Sequence, residues 1–306
     1  MQAFDSTRHN HLLPIRSLLQ SWWDNRPSDV IGLALYGSRA KNLAEQYSDW
    51  DIVILTSSDN PDEDAICRNL PQDYDDAPIH ALCESVAQIE SESQYGGSVL
   101  SAVVEQGVAL FGTPIKPRSE KKLKPNYPSA ELFLSNVLGE VHGFLSYSNF
   151  VRENGLKHHN ASTKHSADAA EFLVKGLMST RGINYKQIHN VKALCEQIEQ
   201  VCPEDPIIEE LIKLDGFTTK AHIGTYHVLF NAIEPIEQTN TRMQNVLLLL
   251  PKLTDETFDS RKPSEELKKL LSITMSNILA YVDHLTDSAI RKIVQQALDR
   301  IHYYLH

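Results

Sequence analysis

No apolar run in this sequence approaches the ~20 residues a membrane-spanning helix needs. Residues 1–10 carry Asp5, Arg8, His9 and Asn10, where a secretory leader would be apolar, so a cytoplasmic setting with no membrane partner is expected. Cysteine is scarce. Cys67, Cys83, Cys195 and Cys202 form no C-x-x-C pair, which points to free thiols in a reducing compartment. There is no internal repeat and no low-complexity tract. Positive charge is short in one part only. Residues 1–115 hold 6 Lys+Arg against 17 Asp+Glu, whereas residues 116–306 hold 23 of each and ten of the 13 histidines. Such an acidic first part repels nucleic acid unless a metal or a local patch intervenes, although much of the acidity lies between Asp59 and Asp76.

What is present is a globular composition, 42% hydrophobic over 306 residues, enough for two domains. His11 to Trp23 carries Leu12, Ile15, Leu19 and Trp22 close to a helical period. Val30 to Tyr36 and Asp51 to Thr56 read as buried strands. Pro78 to Cys83 reads as a third, and Gly107 to Gly112 as a short fourth. Ser58-Asp59-Asn60-Pro61 looks like a helix start. Strands alternating with helices predict an α/β domain with a mixed sheet over 1–115. Residues 116–128 form the linker. Pro114, Pro117, Pro125 and Pro128 punctuate this region, with Lys116, Arg118, Lys121, Lys122 and Lys124 as a solvated basic run. Only helical patterns follow: Ala130–Arg152, Ser162–Thr180, Val191–Cys202, Pro206–Leu214, Lys220–Ile233, Glu265–His284 and Ser288–Leu305. Residues 129–306 are therefore expected to be an all-α antiparallel bundle, making the chain α+β overall.

Chemistry concentrates between residues 35 and 51. The first strand ends in Gly37-Ser38. Ten residues after Ser38 comes Ser48-Asp49-Trp50-Asp51, at the start of the next strand. Two carboxylates two residues apart on a strand face the same side, so Asp49 and Asp51 can share divalent cations that also bridge triphosphate oxygens. Gly37 lets phosphate approach the backbone. The following amides and the Ser38 hydroxyl can donate to it, and Arg39 or Lys41 can add charge.

Gly37-Ser38-Arg39-Ala40-Lys41-Asn42 followed by Ser48-Asp49-Trp50-Asp51 resembles the G-S-x-A-x-G and S-D-x-D signature of the DNA polymerase β-like nucleotidyltransferases of the minimal kind, with Asn42 replacing the final glycine. The resemblance covers roughly residues 1–115. It implies Mg²⁺ held by Asp49 and Asp51, and an NTP substrate, by expectation ATP, held at Gly37, Ser38, Arg39 and Lys41. The family places a third carboxylate on the next core strand, as metal ligand or base towards an acceptor hydroxyl. The matching segment is Pro78-Ile79-His80-Ala81-Leu82-Cys83-Glu84, where His80 occupies that position and Glu84 lies two alternations later on the same face. Either can stand in as the third catalytic group. His80 is suited to act as a base near neutral pH.

In the helical half, Ala167 to Gly182 resembles the second helix of HEPN domains, and Asn190 to Cys195 the turn into their third. This resemblance covers about 130–235 and matches a known pairing with minimal nucleotidyltransferases in toxin–antitoxin systems. It implies RNA as a partner and a homodimer through the helical domain. Ribonuclease-type HEPN domains carry R-x(4–6)-H. Arg152 with His158 or His159 fits that spacing but at the end of the first helix. His222 to His227 lies where the motif belongs but has histidine for arginine. Surface and cap histidines are the expectation. Tyr147, Tyr185, Tyr226 and Glu171 are candidates to line an acceptor site.

The reading is an Mg²⁺-dependent nucleotidyltransferase that moves NMP from NTP to a hydroxyl on a protein, RNA or small molecule. Two alternatives stay open. One is a nucleotide-binding regulatory protein with little turnover. The other is a HEPN ribonuclease controlled by its N-terminal domain.

Overall fold

The computed structural model of the protein describes residues 1–42, 44, 48–112, 114–115, 123–185, 191–215, 235–259, 261–282, 285 and 288–306. Lys116, Arg118, Lys121 and Lys122, the Lys220–Ile233 helical pattern, Tyr226 and the His222–His227 motif lie outside the described residues. Two compact units emerge, Met1–Lys124 and Pro125–His306. The chain is α+β: a mixed sheet with helices, then a helical unit.

The first unit is built on a six-stranded mixed sheet. Its strands are β1 (Gln2–Ala3), β2 (Val30–Leu35), β3 (Trp50–Thr56), β4 (Asp73–Tyr74), β5 (Ala77–Ser85) and β6 (Val108–Gly112), in the order β1-β6-β2-β3-β5-β4. β2 runs antiparallel to both β3 and β6, and β3 runs parallel to β5. The helices are α1 (Leu13–Asp24), α2 (Gly37–Ala40), α3 (Glu63–Cys67), α4 (Val86–Glu92) and α5 (Val99–Gln106). Strand alternation sorts the apolar side chains into two cores, one on each sheet face. Leu33, Leu35, Ile52 and Ile54 pack with Ile15, Leu19 and Trp22 of α1. Ala34, Val53 and Leu55 pack with Ile89 of α4 and Leu100, Val103 and Val104 of α5.

The strands lie where the apolar runs predict them. The helix expected from Ser58 to Pro61 begins later. Asp62 is its cap, its carboxylate accepting from the Ala65 amide at 3.0 Å. Leu123 is buried, and Lys124 pairs with Tyr95 as an isolated bridge.

The helical unit contains α6 (Tyr127–Glu153), α7 (Asn160–Thr180), α8 (Val191–Val201), α9 (Ile207–Asp215), α10 (Ile236–Phe258), α11 (Glu265–Val282) and α12 (Ser288–Leu305). The Asn126 side chain caps α6 by accepting from the Ser129 amide, and Asn154 with left-handed Gly155 ends it. α7 is the central helix, packing on α6, α8 and α10. It buries charge as well as carbon: Asp168, Glu171 and Lys175 are all under a tenth exposed. Lys175 Nζ donates to Glu171 at 2.6 Å, and Lys164 to Asp168 at 2.5 Å. Buried Arg242 of α10 donates to Ser166 of α7 at 3.0 Å. At the end of α7, Arg181 bonds Asp205 before α9 at 2.7 Å and Glu256 of α10 at 2.8 Å. Helix α10 is the element the sequence pattern did not signal. Pro251 sits inside it, and its first half is polar.

Candidate active site

β2 ends at Leu35, and the Tyr36 amide donates to the Asp51 carbonyl at 2.9 Å, tying the glycine turn to the start of β3. Gly37 has φ +74°. A Cβ there would lie 2.2 Å from Asp51 Oδ2, so the carboxylate occupies the space a side chain would take. Only glycine meets both demands. The helical turn α2 follows at once, and Asn42 then adopts φ +57°. That left-handed conformation is why glycine suits the position and why asparagine tolerates it better than most residues.

Asp51 lies on the sheet face shared with Val53, opposite Trp50. Burial first, then the neighbouring Asp49 charge, pushes its pKa up to about 6, while His80 pulls the other way. The Tyr36 phenol, on the same face, is pushed up to about 12 by burial and by Asp51. β3 and β5 pair so that Asp51 stands beside His80. His80 Nδ1 lies 3.4 Å from Asp49 Oδ2, with the imidazole more exposed than the carboxylate. Glu84 is in register with Leu55 instead, roughly 13 Å further along β5 at the usual rise per residue. Burial, Glu92 and Glu63 raise its pKa. Asp49, Asp51 and His80 thus come together, and Glu84 does not join them.

The basic residues divide. Arg39 donates from Nε to the Ser48 carbonyl at 2.7 Å, and its guanidinium carbon lies 4.0 Å above the Trp50 ring. Burial lowers its pKa, with Asp75 and Asp49 opposing. Lys41 closes the helical turn, its amide donating to the Ser38 carbonyl at 3.2 Å.

Among the described residues no group of three His, Cys, Asp or Glu side chains forms a metal cage. The donor set still fits Mg²⁺, which is commonly held by one or two carboxylates plus waters and substrate phosphates. Asp49 and Asp51 lie close together, one of them pressed into a glycine cradle, an arrangement that suits a shared cation.

The helical candidates do other work. His159 caps α7, its Nδ1 accepting from the Ser162 amide at 3.2 Å, and burial followed by the charge of His165 lowers its pKa. Arg152 ends α6 beside Glu153 and borders a cavity of about 300 Å³ with Asn149 and Ser162. Tyr147 packs on His159 and His165, and Tyr185 on Phe133. Sequence reasoning missed one pair. Glu140 of α6 accepts from His165 Nδ1 at 2.7 Å, and Gly143 leaves room for the imidazole, a Cβ there falling 2.5 Å from the ring. The partners are on different helices, so no spacing rule could have found them.

Residues 15–100 match the nucleotidyltransferase domain family, and residues 142–253 match the HEPN domain family. The chain carries a nucleotidyltransferase domain followed by a HEPN domain. The Gly37 turn, Asp49, Asp51 and His80 all lie inside the nucleotidyltransferase match. No curated protein matches the chain. Among solved structures, a nucleotidyltransferase-like protein from Exiguobacterium sibiricum 255-15 is similar at 12% identity over 88% of each chain, with a TM-score of 0.40. That likeness is too loose to transfer any property. A nucleotidyltransferase domain supports nucleotidyl transfer in general, with a nucleoside triphosphate as substrate and divalent metal as the usual companion. No described helix is long and apolar enough to cross a membrane.

Proposed function

We propose that the protein is an Mg²⁺-dependent nucleotidyltransferase that moves NMP from an NTP, by expectation ATP, to an acceptor hydroxyl. The observation that carries this reading is the Asp51 carboxylate set against Gly37, with Asp49 and His80 beside it on the same edge of the sheet. Asp49 and Asp51 would hold Mg²⁺, which when bound neutralises developing charge on the phosphates. Gly37, Ser38 and Lys41 are assigned to the triphosphate. The acceptor oxygen attacks the α-phosphorus and pyrophosphate leaves. His80, whose Nδ1 lies 3.4 Å from Asp49 Oδ2, is assigned the role of taking the hydroxyl proton. Labelled ATP tests this: Asp49→Asn with Asp51→Asn should abolish both Mg·ATP binding and label transfer. Binding and transfer equal to wild type would end the proposal.

One observation favours a second reading. An imidazole, not a third carboxylate, stands beside Asp51, which suits a nucleotide-binding regulator with little turnover. Tight Mg·ATP binding with no labelled product over hours would select it. A ribonuclease role for the HEPN domain gains no such support from Arg152 and His159, since the histidine is engaged as a helix cap. The cytoplasmic setting, the RNA partner and the homodimer remain parts of the proposal.

A further inference from the structure

We infer that Arg39 is a positioning residue whose guanidinium clamps the residues on both sides of Asp49 and so aims that carboxylate at the bound cation. The inference rests on the nucleotidyltransferase reading and assigns Arg39 a task other than touching phosphate.

Asp49 precedes β3 and lies outside the ladder that begins at Trp50. Among the described residues its carboxylate meets His80 loosely, at 3.4 Å, and feels the Arg39 charge. Something else must hold it, and both of its chain neighbours are held by the same side chain. Arg39 Nε donates to the Ser48 carbonyl at 2.7 Å, and the flat guanidinium lies 4.0 Å above the Trp50 ring. Trp50 is itself anchored: it is 5% exposed, and its indole N–H donates to the Tyr74 carbonyl at 3.0 Å. The Arg39 carbonyl meets His11 Nε2 at 3.3 Å, steadying the clamp from behind. An arginine that reads phosphate presents its outer nitrogens to solvent or ligand. Here Nη2 is buried without a hydrogen-bond partner, Nε is taken, and one face is covered by indole. The planar fork can stack and donate at once, which an ammonium cannot, so lysine is no substitute.

The test is isothermal titration of the full chain with ATP, at stepped Mg²⁺ and in EDTA. Arg39→Lys and Arg39→Gln should each weaken the apparent Mg²⁺ affinity of the ATP complex by about 10–100-fold, the usual consequence of losing a residue that orients a metal ligand. ATP binding in EDTA should change by less than about twofold. In metal-free protein, amide exchange at Asp49 and Trp50 should accelerate in both variants. Trp50→Leu should repeat the Arg39→Lys phenotype, which keeps the test open if the arginine variants misfold. Lysine restoring Mg²⁺ affinity, or equal losses with and without Mg²⁺, would overturn the clamp in favour of direct phosphate contact. Wild type that binds no Mg·ATP sinks the underlying reading together with the proposal. Variants that match a wild type that does bind sink the proposal alone.

Discussion

In the nucleotidyltransferase unit, Asp49 and Asp51 crowd together, and among the described residues His80 at 3.4 Å and the Arg39 charge offset them without a close ion pair. Along α7 of the HEPN-bearing unit, Lys164 sits on Asp168 and Lys175 on Glu171, each within hydrogen-bonding distance. Burial is no lighter in the second case, yet the charges there are matched. The contrast follows the sequence, in which residues 1–115 carry the whole net charge of −11 and the remainder is balanced. Crowded acids at a glycine turn suit the binding of a cation, the role proposed for them. Matched charges inside a helix bundle are architecture: both pairs lie within α7 and let that helix bury carboxylates with their counter-charges beside them.

The largest effect should come from breaking a matched pair. Lys175→Met removes the ammonium that donates to buried Glu171 at 2.6 Å and should cost about 3–5 kcal/mol in urea unfolding of the helical unit. Adding Glu171→Leu to that variant should recover most of the loss. A Lys175→Met variant as stable as wild type would remove the distinction between the units. Next is Gly37→Ala, which meets left-handed backbone and the Asp51 carboxylate together. Mg·ATP binding measured by equilibrium dialysis should fall about a hundredfold, a strain of some 2–3 kcal/mol, with the helical unit's unfolding unchanged. Smallest is Asp51→Asn in EDTA, where a change that destroys binding should stabilise the fold. Burial and then the Asp49 charge push this carboxyl up to about 6 in the fold, against an ordinary 3.8. Its ionised form therefore opposes folding above that pH, and the opposition fades as pH falls through 6. The melting temperature should rise by about 2–4 °C at pH 7, and the gap to wild type should narrow towards pH 5. A lower melting temperature at pH 7 would show that Asp51 contributes to stability after all.

Much of this was legible from residue order. Continuous apolar runs marked the buried strands at Val30 and Asp51, and the Gly-Ser and Asp-x-Asp spacing located the site between them. Asn42 reads in sequence as a departure from glycine, while the backbone shows that the substitution keeps the required conformation. The choice between His80 and Glu84 was not legible, because both lie on one face of β5 and only pairing with β3 separates them. Nor was the engagement of Arg39 by Ser48 and Trp50, since a basic residue next to a phosphate turn looks the same whether it reaches outward or folds back. Helix α10 escaped because Pro251 interrupts the pattern and because Leu247 to Leu250 form a run rather than a stripe.

The in-register pairing of Asp51 with His80 carries a consequence for how this domain can change. A pleated strand counts in twos, so sliding β5 past β3 by a single residue would turn His80 to the α1 side of the sheet and bring Ile79 to the acidic edge. One inserted or deleted residue within Trp50–Thr56 or Ala77–Ser85 is thus a change of parity, harsher than most substitutions. Residues 57–72, between those strands, can gain or lose length without disturbing the count. Family members should vary in length there and keep odd and even in step within the strands.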